Sequence, residues 1–80
     1  MMLLHLGYHN FINADKIVTI AVSYTQPAAR DIQGARERGA LIDCTKGRRT
    51  RSVIYTESGH VVLSSVQPEC LVERWEAGGR

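Results

Sequence analysis

Arg51-Ser52-Val53-Ile54-Tyr55-Thr56-Glu57-Ser58-Gly59-His60-Val61-Val62-Leu63-Ser64-Ser65 is the stretch that decides the fold. Its two arms are rich in β-branched and apolar residues, and Glu57-Ser58-Gly59 between them has turn chemistry. The stretch therefore predicts a β-hairpin, with strands over residues 51–56 and 60–65.

Toward the N-terminus, Thr45-Lys46-Gly47-Arg48-Arg49-Thr50 is a polar, glycine-containing loop, and Ala40-Leu41-Ile42-Asp43-Cys44 before it reads as a brief strand. Pro27 opens a helix over residues 27–38. Its missing N–H needs no partner in a first turn, and Thr25 or Gln26 sits at the cap. Ala28, Ala29, Ile32 and Ala35 or Arg36 recur at helical spacing, and Gly39 supplies the left-handed residue that ends the helix. Residues 16–23, Lys-Ile-Val-Thr-Ile-Ala-Val-Ser, are apolar on both faces and predict a central strand. Asn13-Ala14-Asp15 predicts a turn. Leu3-Leu4-His5-Leu6-Gly7-Tyr8 predicts a short first strand, loosened by Gly7 and then His9-Asn10.

On the C-terminal side, Gln67-Pro68-Glu69 begins a final short helix with Leu71, Val72 and Trp75 as its apolar face. Residues 77–80 are expected to fray. The order β-β-α-β-β-β-α gives an α+β fold. It is a small, mainly antiparallel sheet with one central helix and a short C-terminal helix, forming a single domain over residues 1–80.

Eighty residues make a thin core, so a homo-oligomer is an expected source of extra stability, with the small-residue helix face at Ala28, Ala29 and Gly34 available for close approach. The hydrophobic share of 44% and charged share of 22% are those of a globular domain rather than a disordered chain. No apolar run approaches the ~20 residues of a membrane span. Residues 1–6 are apolar but short, lack a basic flank and contain His5, which makes a poor signal peptide. A cytoplasmic protein is expected. Cys44 and Cys70 are then expected as buried free thiols. His5, His9 and His60 are scattered without metal-ligand spacing, so neither a metal nor another cofactor is expected.

The net charge of +2 is unevenly placed. Lys46, Arg48, Arg49 and Arg51 put four positive charges into six residues, and the rest of the chain is net negative. Arginine presents a planar fork that matches a phosphate bidentately and stays charged near neutrality. Gly47 lets the loop turn so that backbone amides and Thr50 can also face an anion. DNA backbone binding needs such clustered cations, because each neutralised phosphate releases counterions. The competing reading is a solvated loop that blunts an edge strand. No acid lies between Asp43 and Glu57 to pair with the cluster. Lys16 reads either as a further contact or as an exposed charge at a strand end. Arg30, Arg36 and Arg38 share a helix with Asp31 and Glu37, where surface pairing is of small weight.

An enzyme finds little support. Ser64 and Ser65 lie in no nucleophile elbow, no histidine has an acid or nucleophile partner by spacing, and Asp43 reads most simply as a cap for the basic loop. Gly34 and Gly39 do not follow a strand in a dinucleotide-binding pattern. No small-molecule substrate is expected. Two alternatives to DNA binding stay open. One is an RNA-binding module, disfavoured because Tyr8, Phe11, Tyr24, Tyr55 and Trp75 form no RNP-like pattern. The other is a small phosphate-ligand sensor or enzyme, which needs Arg48, Arg49 and a carboxylate to converge in a deep pocket.

The run from Asp31-Ile32-Gln33-Gly34-Ala35-Arg36-Glu37-Arg38-Gly39 through Ala40-Leu41-Ile42-Asp43-Cys44-Thr45 to Lys46-Gly47-Arg48-Arg49-Thr50-Arg51-Ser52-Val53-Ile54 resembles the central signature of the RemA family. These are bacterial regulators of extracellular matrix genes. His60 through Val66-Gln67-Pro68-Glu69 is similar to the family's closing hairpin and helix start, and Asn13-Ala14-Asp15-Lys16-Ile17 to its early turn and strand. The resemblance implies a LytTR-like subunit in a ring-shaped homo-oligomer that wraps promoter DNA of biofilm genes, in association with the nucleoid. It assigns DNA contact to Arg48 and Arg49, with Lys16 matching a position where the family has arginine. Lysine there keeps the charge and loses the fork. It also implies a structural or subunit-contact role for Pro27. Arg51 and Lys46 join the DNA surface through the cluster itself.

Overall fold

Val53, Ile54 and Tyr55 lie opposite Leu63, Val62 and Val61 across an antiparallel hairpin, so neither strand has a polar face. Such a pair is stable only if covered on both sides. The computed structural model describes residues 2–78 and shows how this is done. In chain order the elements are β1 (Leu3–Gly7), β2 (Asn10–Asn13), a 3₁₀ turn (Ala14–Lys16), β3 (Ile17–Val22), α1 (Gln26–Glu37), β4 (Leu41–Asp43), β5 (Ser52–Thr56), β6 (Val61–Ser64) and α2 (Pro68–Gly78).

The main sheet has the order β3-β5-β6-β4. β3 pairs antiparallel with β5, β5 antiparallel with β6, and β4 parallel with β6. β3 and β4 therefore run in the same direction at opposite edges, joined through α1, with the β5–β6 hairpin between them. Side-chain alternation then splits the apolar residues. Val53, Val61 and Leu63 pack with Ala28 and Ala35 of α1, flanked by Ile32, Leu41 and Tyr55. Ile54 and Val62 face the other way, into a cluster with Leu4, Leu6, Ala14, Cys44 and Leu71. The α1 layer thus closes one face, and the β1–β2 hairpin with α2 closes the other.

Local chemistry explains the ends of these elements. Thr25 Oγ1 accepts the Ala28 N–H at 3.2 Å, capping α1, and Pro27 stands exposed in its first turn. Gly39, at φ 73°, ends that helix in the left-handed region as its sequence predicts. Tyr55 donates to Asp31 Oδ2 at 2.6 Å and so ties β5 to α1. Burial first, and that bond second, push the Tyr55 phenol up to about 12. Ser52 and Ser64 face each other, fully buried. Ser64 Oγ donates to the Leu6 carbonyl at 2.8 Å and accepts the Val66 N–H at 3.1 Å, while Ser52 Oγ donates to the Val66 carbonyl. Two serines inside an apolar sheet thereby stitch β1 and the entry to α2 onto it.

The α+β class and the mainly antiparallel sheet stand. Four details differ from the sequence reading. Asn10–Asn13 is a strand, not a loosened connection, and it pairs with β1 in a separate two-stranded sheet. Phe11-Ile12 is too short a run to announce itself. Ile17–Val22 is an edge strand rather than a central one, with Val18 67% exposed. Cys70 is exposed, while Cys44 is buried as expected, and both are free. Val72 and Trp75 of α2 remain substantially exposed, so Leu71 alone of the expected apolar face is buried. Of the residues expected to fray, 77 and 78 close α2 and 79–80 lie outside the described residues.

Leu71→Ala is expected to cost about 2–5 kcal/mol in urea denaturation, as for other fully buried leucines. Val72→Ala, on the exposed side of the same helix, should cost below about 1 kcal/mol. Thiol titration of the native protein should find Cys70 reacting at once. Cys44, whose thiol burial pushes up, should react only as the chain opens.

Candidate nucleic-acid interface

The last residue of β4 builds the loop that follows it. Asp43 Oδ1 accepts the Thr45 hydroxyl at 2.6 Å and the Thr45 N–H at 2.8 Å. Those two bonds, the hydroxyl foremost, hold the Asp43 carboxyl below the usual carboxylate range. Thr45 is buried, and its carbonyl accepts the Arg48 N–H at 3.0 Å. This closes a turn around Lys46 and Gly47, at φ 53° and 78°. Gly47 adopts that conformation freely because it has no Cβ. At the far end, Ser23 Oγ donates to the Thr50 carbonyl at 2.7 Å, Ser23 N–H to the Arg51 carbonyl at 3.2 Å, and Arg51 N–H to the Ser64 carbonyl at 2.9 Å.

The backbone is therefore pinned at both ends while Lys46, Arg48, Arg49 and Arg51 point into solvent. Among the described residues none of the four makes an ion pair. Arg48, Arg49 and Arg51 line an open hollow of about 320 Å³ together with Tyr8 and Ser65. Arg49 and Arg51 also line a neighbouring hollow of about 190 Å³ with Ser23, Tyr24, Thr50 and Gln67. Among the described residues no carboxylate lines either. Asp43 serves as the cap that its sequence position suggested. The convergent arginine–carboxylate pocket that a small-ligand enzyme needs is not formed there.

Lys16 is elsewhere. The β3–β5 register sets Val22 against Ser52 beside the basic loop and Ile17 against Thr56 at the other end of the sheet. Lys16 precedes Ile17, so it lies at that far end. There its Nζ sits 3.0 Å from Glu57 Oε1, and both side chains are more than half exposed. Hydrogen bonding and attraction to Glu57 raise its pKa. The fold thus does not bring Lys16 to the arginines. Arg38 donates to the Gly59 carbonyl at 2.7 Å, and Arg36 to Gln33 Oε1 at 3.3 Å, which accounts for two of the helix cations locally.

Sequence reasoning missed Tyr8. The tip of the β1–β2 hairpin carries its ring to 5.8 Å from Lys46 Nζ and 6.0 Å from Arg48 Cζ, measured to the ring centroid. Ser23, Tyr24 and Gln67 likewise reach the arginines only through folding. The one available signal was the pair Tyr8-His9 between two short apolar runs, which lacks the Asn-Gly chemistry of a recognisable turn. Among the described residues no three His, Cys, Asp or Glu side chains gather in a metal-binding group. No helix there is long and apolar enough to cross a membrane.

Residues 3–75 match the family model of extracellular matrix regulatory protein A-like, or RemA-like, proteins. A relative named as a regulatory protein in Geobacillus thermodenitrificans is 51% identical over 74 residues, covering 92% of this chain and 85% of the relative. A similarly named protein of Acetivibrio thermocellus is 49% identical over 74 residues, covering 92% of this chain and 80% of its own length. One from the strain PCC 7424 of Gloeothece citriformis is 47% identical over 75 residues, covering 94% and 85%.

Asp43→Ala removes both bonds that shape the loop and should lower stability by about 1 kcal/mol, the usual loss for a cap. Because folding depresses the Asp43 pKa, its contribution is present above the unfolded carboxyl's pKa and disappears as pH falls through the folded value. Denaturation curves of both proteins should therefore differ at neutral pH and converge in strong acid.

Proposed function

This chain belongs to the RemA-like family of regulatory proteins, and on that premise we propose that it regulates transcription by binding double-stranded DNA through Lys46, Arg48, Arg49 and Arg51. The observation that carries this reading is a set of four exposed cations on a backbone-pinned loop, with no carboxylate paired to them among the described residues. Such a surface suits the phosphate backbone, which supplies a sequence-independent, salt-sensitive affinity. It acts by binding alone, without catalysis.

One subunit offers few contacts, and a ring-shaped homo-oligomer multiplies them into avidity on DNA wrapped around it. The uncovered edge of β3, with Val18 67% exposed, and that of β4, with Ile42 46% exposed, supply apolar surface for subunit contact. Pro27, exposed at the start of α1, is assigned to the same structural or contact role. Promoters of extracellular matrix genes are the proposed targets, following the family's description. Lys16, held by Glu57, is a weaker, outlying contact on this reading, so Lys16→Ala should have a milder effect than loss of either loop arginine. A second reading, single-stranded nucleic acid, is favoured by Tyr24, 82% exposed beside Arg49 and Arg51, because an open ring stacks on a splayed base.

The test is a titration of matrix-promoter and random duplexes at two salt concentrations, with a single-stranded competitor. Arg48→Ala/Arg49→Ala should fold with a stability change within roughly 1 kcal/mol for its two surface sites. It should lose affinity for both duplexes, and its salt slope should shrink by about 0.9 for each phosphate contact removed. Wild-type affinity in that variant would reduce the loop to a solvated surface. Loss on promoter DNA alone would place an arginine on a base edge. Preferential displacement by the single strand would select the second reading.

A further inference from the structure

Three non-glycine residues among those described hold left-handed backbone: Tyr8 at φ 52°, His9 at φ 64° and Lys46 at φ 53°. That region is unfavourable for a side chain with a Cβ, and such residues concentrate where function requires them. Tyr8 and Lys46 are far apart in sequence and yet meet, with Lys46 Nζ 5.8 Å and Arg48 Cζ 6.0 Å from the centre of the Tyr8 ring. Both distances are within the reach of cation–π attraction.

A two-residue hairpin turn with both residues left-handed is ordinarily filled by Asn-Gly or a similar pair. Here it is Tyr8-His9, fixed by Asn10 Nδ2, which donates to the Gly7 carbonyl at 3.2 Å and the Tyr8 carbonyl at 3.3 Å. The needs of the turn do not account for an aromatic ring at this position. Nor does the core, because Tyr8 is 40% exposed and lines the hollow formed by Arg48, Arg49 and Arg51.

We propose that Tyr8 is a positioning residue of the anion-binding surface, its ring holding the Lys46 ammonium and the Arg48 guanidinium in the array that meets successive phosphates. The proposal rests on the nucleic-acid reading above and deepens it. Long cationic side chains lose rotamer freedom when they dock, and ordering them beforehand removes part of that cost. A carboxylate would also order them, but it would cancel their charge, as Glu57 does for Lys16. The face of a phenol ring attracts cations while carrying no net charge. It can therefore fix their positions and leave their full charge for DNA.

Three variants test this by duplex titration at two salt concentrations and by thermal melting. Tyr8→Asn removes the ring and installs a residue suited to the left-handed turn. Its Tm should equal or exceed the wild-type value, while its affinity for DNA falls roughly three- to tenfold. The salt slope should not change, since no cation is lost. Tyr8→Phe keeps the ring and should bind within about twofold of wild type. Arg48→Ala/Arg49→Ala, measured in parallel, separates the two claims. If it loses affinity while Tyr8→Asn binds like wild type, Tyr8 has no part in binding and only this proposal falls. If it binds like wild type, the nucleic-acid reading fails and this proposal falls with it. Equal loss in Tyr8→Phe and Tyr8→Asn would move the role from the ring to the hydroxyl. A lowered Tm in Tyr8→Asn accompanying weaker binding would make Tyr8 a prop of the fold. Either of those results overturns the assignment.

Discussion

Burial of the β5–β6 hairpin on both faces is the constraint from which the rest of the molecule follows. Val53, Ile54, Val61, Val62 and Leu63 are each at most 4% exposed, a condition that a hairpin cannot meet alone. α1 covers one side with the small side chains of Ala28 and Ala35, which let the helix approach closely. The other side needs both the β1–β2 hairpin and α2, contributing Leu4, Leu6 and Leu71. Polar groups inside this arrangement are used as stitches. Ser52 and Ser64 satisfy the backbone of Leu6 and Val66 where the covering layer meets the sheet.

The same constraint makes the basic loop what it is. β4 is parallel to β6 and β5 antiparallel, so the chain leaving Asp43 must turn at one end of the sheet before entering β5. The hydrogen bonds in that turn hold its backbone and its first threonine: Asp43 to the Thr45 N–H and hydroxyl, Thr45 to Arg48, Ser23 to Thr50 and Arg51. The cationic side chains are left exposed and, among the described residues, without an ion-pair partner. A rigid backbone with free charges is the reverse of an ordinary surface loop, where mobile side chains settle into local ion pairs of little energetic value. The contrast lies within the chain itself, because Lys16 at the opposite end of β3 is paired with Glu57.

Coverage of the sheet faces leaves its edges open. β3 and β4 are both outermost, and neither has a charged side chain midway along it to discourage pairing with another chain. Together with exposed Val18 and Ile42, this is the surface on which the proposed homo-oligomer draws. The charge cluster sits at the end of the sheet rather than on either edge, so association along the edges leaves the cations accessible.

What was legible in the sequence was local. The hairpin could be read because β-branched runs flank a glycine turn, α1 because its cap, proline and terminal glycine act within a few residues, and the basic surface because its four cations are contiguous. The apolar run of β3 reported a strand without a consistently polar face. It carried no information about which strand lies alongside, so an edge strand was read as central. β2 was invisible because Phe11 and Ile12 acquire strand geometry only by pairing with Leu4 and His5. Exposure of Cys70 depends on the rotation of α2 against β1, and separation of Lys16 from the arginines depends on strand register. Thus the sequence by itself determined every helix and strand except β2, the fold class and the identity of the cationic loop, all of which rest on interactions within a few residues or a turn. Only the tertiary structure decided strand order, the two-sheet layering and the meeting of Tyr8 with Lys46 and Arg48, because packing brings together residues whose separation along the chain leaves no periodic trace.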